Sequence, residues 1–93
     1  MTIKINETNF DYEVNEADEP VLIAFYASWC RSRRLNALIE NMCSEFKVAT
    51  KVVKVDVEES PNLATRFNIQ QVPSFVVLDH GKVRNTKEVQ LTA

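Results

Sequence analysis

The sequence predicts an α/β domain organised around one central sheet, and three observations carry the prediction. Val21-Leu22-Ile23-Ala24-Phe25-Tyr26-Ala27 is an apolar run of strand length with no polar alternation. Such a run marks a strand covered on both faces, in a sheet with parallel neighbours. Leu35, Leu38, Ile39, Met42 and Phe46 recur at i, i+3, i+4, i+7 and i+11, the stripe of an amphipathic helix. Lys51-Val52-Val53-Lys54-Val55-Asp56-Val57 is β-branched and partly alternating, as expected of a second strand.

The remaining elements follow in chain order. Thr2 to Ile5 alternates polar and apolar residues and reads as a short strand. Asn6 to Ala17 places Phe10, Val14 and Ala17 on one face and reads as a short helix with Thr8 as N-cap, ended by Asp18-Glu19-Pro20. The long helix is expected from about Cys30 to Lys47. Ser60-Pro61 opens a further short helix, with serine as cap and proline at the first helical position. Leu63, Ala64 and Phe67 form its buried face, and Asn68 is its left-handed stop. A strand from Ser74 to Leu78, a turn at Asp79-His80-Gly81-Lys82 and a polar edge strand from Val83 to Leu91 complete the order β-α-β-α-β-α-β-β. Lys82, Arg84, Lys87 and Glu88 suit such an edge, because charge discourages unwanted strand pairing.

Composition narrows the function. Ninety-three residues, 45% hydrophobic and 26% charged, make a single domain spanning 1–93. A net charge of −2 argues against nucleic acid or an anionic membrane as partner. No run approaches the ~20 apolar residues of a bilayer span. The polar start Met1-Thr2-Ile3-Lys4 lacks the apolar core of a secretory signal. The expected location is therefore cytoplasmic.

The chemistry concentrates at Trp29-Cys30-Arg31-Ser32-Arg33-Arg34, where the central strand runs into the long helix. A thiol at such a junction sits near unpaired backbone N–H groups and the positive helix end. Both favour the reactive thiolate; the alternative is a small, inert, buried cysteine. Arg33, three residues on, shares a helical face with Cys30, so its guanidinium favours thiolate or pairs with a ligand carboxylate. The alternative for Arg33 is a solvated basic face. If Cys43 lies on the same helix, it is roughly 20 Å from Cys30 along the axis, beyond disulfide reach. Cys43 borders the apolar stripe and reads as a packed core thiol. With His80 in a turn, no metal site is expected. No cofactor is expected either, and the site is monothiol.

Three pieces together resemble thioredoxin over nearly the whole chain: Phe25-Tyr26-Ala27-Ser28-Trp29-Cys30, Lys54-Val55-Asp56-Val57-Glu58-Glu59-Ser60-Pro61 and Val72-Pro73-Ser74-Phe75, the last followed by a strand and the His80-Gly81-Lys82 turn. The resemblance implies the thioredoxin fold, a central mixed sheet flanked by helices. By the same resemblance Cys30 stands in the place of the attacking cysteine and Pro73 in that of the cis-proline against it. Trp29, Val72, Pro73 and Ser74 then line a groove for an extended substrate segment, protein disulfides or thiols being the substrates. Two departures accompany this. Arg33 stands where thioredoxins carry the second cysteine, and Ala24 where they usually carry a buried acid, which leaves Lys54 without its family partner and makes it a surface lysine. Release of a mixed disulfide therefore needs an external thiol such as glutathione.

Thioredoxins also continue into a further helix, apparently missing after Ala93. Without it, apolar groups on the long-helix flank and the last two strands are expected to be partly exposed, inviting a partner or self-association unless the chain has been cut short. Three function classes follow: a monothiol thiol–disulfide oxidoreductase, a non-redox binding module using the same groove, and a thiol redox sensor.

Overall fold

The computed structural model describes residues 2–28, 33–47 and 51–89. Five strands form one sheet in the order β1-β3-β2-β4-β5: β1 Thr2–Ile5, β2 Val21–Tyr26, β3 Lys51–Asp56, β4 Ser74–Asp79 and β5 Lys82–Glu88. β1 and β2 both run parallel to β3, whereas β4 is antiparallel to β2 and to β5. This is the mixed sheet and terminal hairpin of the thioredoxin fold.

β2 lies at the sheet's centre because it has no polar face to offer water. Val21, Ile23 and Phe25 point into one cluster with Phe10, Val14 and Leu63; Leu22, Ala24 and Tyr26 point into the other with Leu35, Ile39 and Met42. All six residues of β2 are buried. Helix α1, Arg33–Phe46, lays the expected stripe over the second cluster. Its C-terminus turns at Lys47, in the left-handed region at φ 57°, and the guanidinium of Arg84 on β5 donates to the Phe46 carbonyl at 2.8 Å. That bond satisfies one of the carbonyls a helix end leaves unpaired.

Helix α2, Pro61–Arg66, covers the first cluster with Leu63. It ends as expected at Asn68, φ 55°. The Asn68 N–H donates to the Thr65 carbonyl and the Ile69 N–H to the Ala64 carbonyl at 2.8 Å, the paired bonds of a Schellman termination. The Ser60 hydroxyl, expected as the cap, makes no capping bond. The Ser60 carbonyl instead accepts from the Leu63 and Ala64 N–H groups, while Pro61 supplies the pre-set first helical position.

The first expected helix differs most. Between Asn6 and Ala17 the chain forms a π-helical segment, Asp11–Asn15, entered through Phe10 without a side-chain cap. Asn6 rather than Thr8 organises the entry. Its Oδ1 accepts from the Thr8 and Asn9 N–H groups, and Asn9 Oδ1 accepts from the Asn6 N–H at 2.8 Å. Asparagine side chains compete for backbone donors in this way and displace regular helix starts. Phe10 and Val14 still reach the core, at 1% and 3% exposure.

His80, φ 52°, and Gly81, φ 80°, form the two-residue turn between β4 and β5, the geometry that tight hairpins prefer. β3 ends at Asp56, one residue earlier than expected, and the expected end of β5 at Leu91 lies outside the described residues. Among the described residues the apolar exposure expected on the last two strands is confined to Val83. β4 is buried from Ser74 to Leu78, and β5 is polar, with Val83 its exposed apolar side chain. On α1, Leu38, Cys43 and Phe46 are half-buried against the second cluster.

Candidate functional site

The peptide bond between Val72 and Pro73 is cis, as the thioredoxin resemblance implied for Pro73. Pro73 is fully buried. It immediately precedes β4, whose first residue, Ser74, lies beside Phe25 of β2 on one side and Glu88 of β5 on the other. The Ser74 hydroxyl donates to the Gln71 carbonyl at 2.6 Å, and the Val89 N–H donates to the Pro73 carbonyl at 3.1 Å. Both bonds hold the bend that presents Val72. Among the described residues no hydrogen bond engages the Val72 backbone.

The C-terminal end of β2 lies beside this bend, and Ala27 and Ser28 follow it. The structure therefore brings together Val72, Pro73, Ser74 and the end of the strand that leads in sequence to Trp29 and Cys30. Trp29 and Cys30 themselves lie outside the described residues, as does the expected helix start before Arg33. Arg33 opens α1, and the first turn of that helix contains no acidic residue.

Ala24 is fully buried and flanked across the sheet by Lys54 and Phe75. It contributes a methyl group to the apolar cluster beneath α1. Lys54, expected as a surface lysine, is half-buried with its Nζ 5.7 Å from the centre of the Tyr26 ring. A lysine stem lies readily along apolar surface, and the ring face attracts its charge. Lys54, Tyr26, Ser28, Leu35, Asn36, Asp56, Lys4 and Glu59 line a cleft of about 400 Å³ at this end of the sheet. A second cleft, of about 350 Å³, lies beside Ser74, between Phe67–Ile69 and Thr86–Glu88.

The segment leaving β2 is tied to the loop after β3. The Val57 N–H donates to the Tyr26 carbonyl at 2.9 Å, and both the N–H and the hydroxyl of Ser28 donate to Glu58 Oε1, at 3.3 and 3.1 Å. Sequence reasoning did not single out Glu58 or Tyr26. The available signal was topological: parallel strands end on one edge of a sheet, so the residues after β2 and after β3 must meet there. Cys43, the free thiol among the described residues, is half-buried on the far part of α1. Burial raises its pKa above the ordinary thiol range, and the neighbouring Glu40 adds to the rise. It is the less reactive kind of cysteine. Among the described residues no group of three or more His, Cys, Asp or Glu side chains gathers in a way that could hold a metal ion.

A mixed five-stranded sheet, with helices on both faces and a cis-proline entering β4, defines the thioredoxin class of α/β proteins. The thioredoxin family profile matches residues 1–92, and the chain belongs to that family. It is 32% identical over 88 residues to a thioredoxin of Rickettsia felis, covering 94% of this chain and 84% of the relative. It is 33% identical over 84 residues to a thioredoxin of Griffithsia pacifica, covering 89% and 77%. It is 38% identical over 86 residues to the chloroplastic thioredoxin Y2 of Arabidopsis thaliana, covering 91% of this chain and 52% of the relative.

Proposed function

We propose that the chain is a thiol–disulfide oxidoreductase of monothiol type, acting on protein disulfides or thiols through Cys30. The Cys30 thiolate attacks one sulfur of a substrate disulfide, forming a mixed disulfide and releasing the other sulfur as thiolate. An external thiol, with glutathione the proposed one, attacks the sulfur of Cys30 and releases the second substrate thiolate. A second external thiol then frees Cys30. In balance, the substrate disulfide becomes two thiols while two external thiols become one disulfide. Arg33 favours the thiolate by charge and pairs with a carboxylate of the external thiol. Trp29 supplies an apolar wall, and Val72, Pro73 and Ser74 dock an extended segment of the substrate through the Val72 backbone.

The observation that carries this reading is the meeting of the Val72–Ser74 segment with the end of β2, the strand that leads in sequence to Cys30. Membership of the thioredoxin family and the redox function its members' names denote support it. A cytoplasmic location fits a mechanism that draws on a reducing thiol pool, and no helix among the described residues is long and apolar enough to cross a membrane. A second reading, a non-redox docking module, is favoured by one feature. Ala24 leaves no acid beneath the site to manage protons. Glutathione-dependent reduction of a model disulfide, compared between the wild type and Cys30→Ser, separates the two. Wild-type turnover lost in Cys30→Ser supports the enzyme; equal rates in both would rule it out and leave the non-catalytic readings, the docking module or a thiol redox sensor.

A further inference from the structure

We infer that the cleft beside Ser74 is a pocket for a lysine or arginine side chain of a partner protein, presented by an extended segment that docks at Val72. The inference deepens the proposed docking of such a segment and rests on it, independently of the thiol.

The cleft follows from the register of the last hairpin. Directly paired residues of antiparallel strands project to the same face. Phe75 pairs with Lys87, and Lys87 reaches Glu45 of α1 at 3.1 Å. Ser74 and Val76 pair with Glu88 and Thr86, so these four side chains project to the opposite face, the one that α2 covers with Leu63. Helix α2 does not extend over them. It ends at Arg66, and the left-handed Asn68 turns the chain away. Phe67 and Ile69 pack against the first cluster on one side and Thr86 and Glu88 stand on the other, leaving about 350 Å³ between them.

The chemistry of the cleft suits a cation on an aliphatic stem. Phe67, Ile69 and Val76 give it apolar surface, along which the stem of a lysine or arginine lies readily. Phe67 is a fixed wall, because its ring packs against those of Phe10 and Phe25, with centroids 5.7 and 5.6 Å away. Glu88 supplies the charge. It is the one carboxylate lining the cleft among the described residues, and among them it has neither an ion pair nor a side-chain hydrogen bond. The cations next in sequence to the cleft residues are engaged elsewhere: Lys87 with Glu45, and Arg66 over the Phe10 ring at 5.0 Å. Continuity with the bend makes a protein segment the occupant. Ser74 lines the cleft, and its hydroxyl also holds the bend through the Gln71 carbonyl. An extended chain sets alternate side chains on one face about 6.6 Å apart, so a segment paired at Val72 carries a neighbouring side chain to the cleft.

The test is an amide-shift titration by NMR at low ionic strength, where surface pairs are least screened. The ligands are short cysteine-free peptides in which serine alternates with a guest residue, either lysine or norleucine, so that thiol chemistry does not enter. The lysine peptide should shift the amides of Phe67, Ile69, Thr86 and Glu88 together with those of Val72 and Ser74. It should bind about two- to fivefold more tightly than the norleucine peptide, the range of an exposed ion pair. Glu88→Gln should abolish that preference. Glu19→Gln should leave it, because Glu19 precedes the start of β2, the end of that strand away from Ser74. Equal binding of the two peptides, or a preference that survives Glu88→Gln, overturns the inference and leaves docking at Val72 standing. Cleft shifts without any at Val72 or Ser74, or saturation by butylammonium alone, would make the cleft a site for small amines and overturn it too. No shift with either peptide overturns the inference together with the docking it rests on.

Discussion

Placing a carboxyl group at position 24 tests how far this core departs from a thioredoxin with a buried acid. Ala24 has no exposed surface and sits among Leu22, Tyr26, Leu35 and Phe75. Ala24→Asp inserts extra atoms into a packed cluster, a change that costs about 1–3 kcal/mol. Burying the uncharged carboxyl without a full set of partners costs about 1–3 kcal/mol more. Lys54, directly across on β3, is the cation within reach, but its Nζ lies over the Tyr26 ring and must leave it to pair. Desolvation therefore raises the folded-state pKa of the introduced carboxyl above its unfolded value of about 3.9. For a raised pKa, the contribution to stability is fully present below the unfolded value and is lost as pH rises through the folded one. The deficit of Ala24→Asp relative to wild type should therefore be smallest near pH 4 and grow toward pH 7. A chain of 93 residues has total stability of only about 5–14 kcal/mol, so the variant should be close to unfolding at neutral pH. Urea unfolding followed by circular dichroism, at several pH values and always as a difference from wild type, reads this directly. A deficit that shrinks as pH rises would show the new carboxylate ionised and well paired with Lys54, and would refute the description of this cluster as apolar.

Other expectations follow from single contacts. Leu35→Ala removes a side chain 2% exposed between α1 and β2 and should cost about 2–5 kcal/mol in denaturant unfolding. Asn68→Ala places an alanine at φ 55° and should destabilise by about 1–2 kcal/mol, while Asn68→Gly should relieve most of that loss. In a Cys30→Ser background, Cys43 should alkylate slowly until pH passes the ordinary thiol range, and Glu40→Gln should bring the transition to lower pH, because burial and then Glu40 raise this thiol's pKa. Arg33→Cys should give measurable disulfide reduction without glutathione, slowed by the absence of an acid at Ala24; no gain at all would argue against the proposed groove.

The parts of the fold that could be read from sequence were those where one periodicity had no competitor. β2 is apolar at every position, and the stripe from Leu35 to Phe46 fits only a helix. The stop at Asn68 was legible because few residues tolerate a left-handed backbone. The first helical segment was expected as a helix with Phe10 and Val14 buried, as found, but its bounds and winding were not legible, because the spacing from Phe10 to Val14 is indifferent to α or π winding and the deciding bonds come from Asn6 and Asn9. At the site, Pro73 was placed by resemblance, and its cis bond is found where the resemblance put it. The Ser28–Glu58 tether joins residues thirty apart in sequence, and no local pattern announces such a pair. The apolar surface expected on the last strands followed from analogy with longer relatives, and among the described residues it is confined to Val83, the other side chains of β5 being polar.

The central claim is that one sulfur attacks and no second sulfur in the same chain releases the product. Mixing reduced protein with a small aromatic disulfide whose thiolate product is coloured, then mapping the adduct by mass spectrometry, tests it in one experiment. The account predicts one equivalent of colour from Cys30, a mixed disulfide on that residue that persists, and discharge only when glutathione is added. Spontaneous discharge without added thiol, or an adduct on Cys43 with Cys30 untouched, would contradict it.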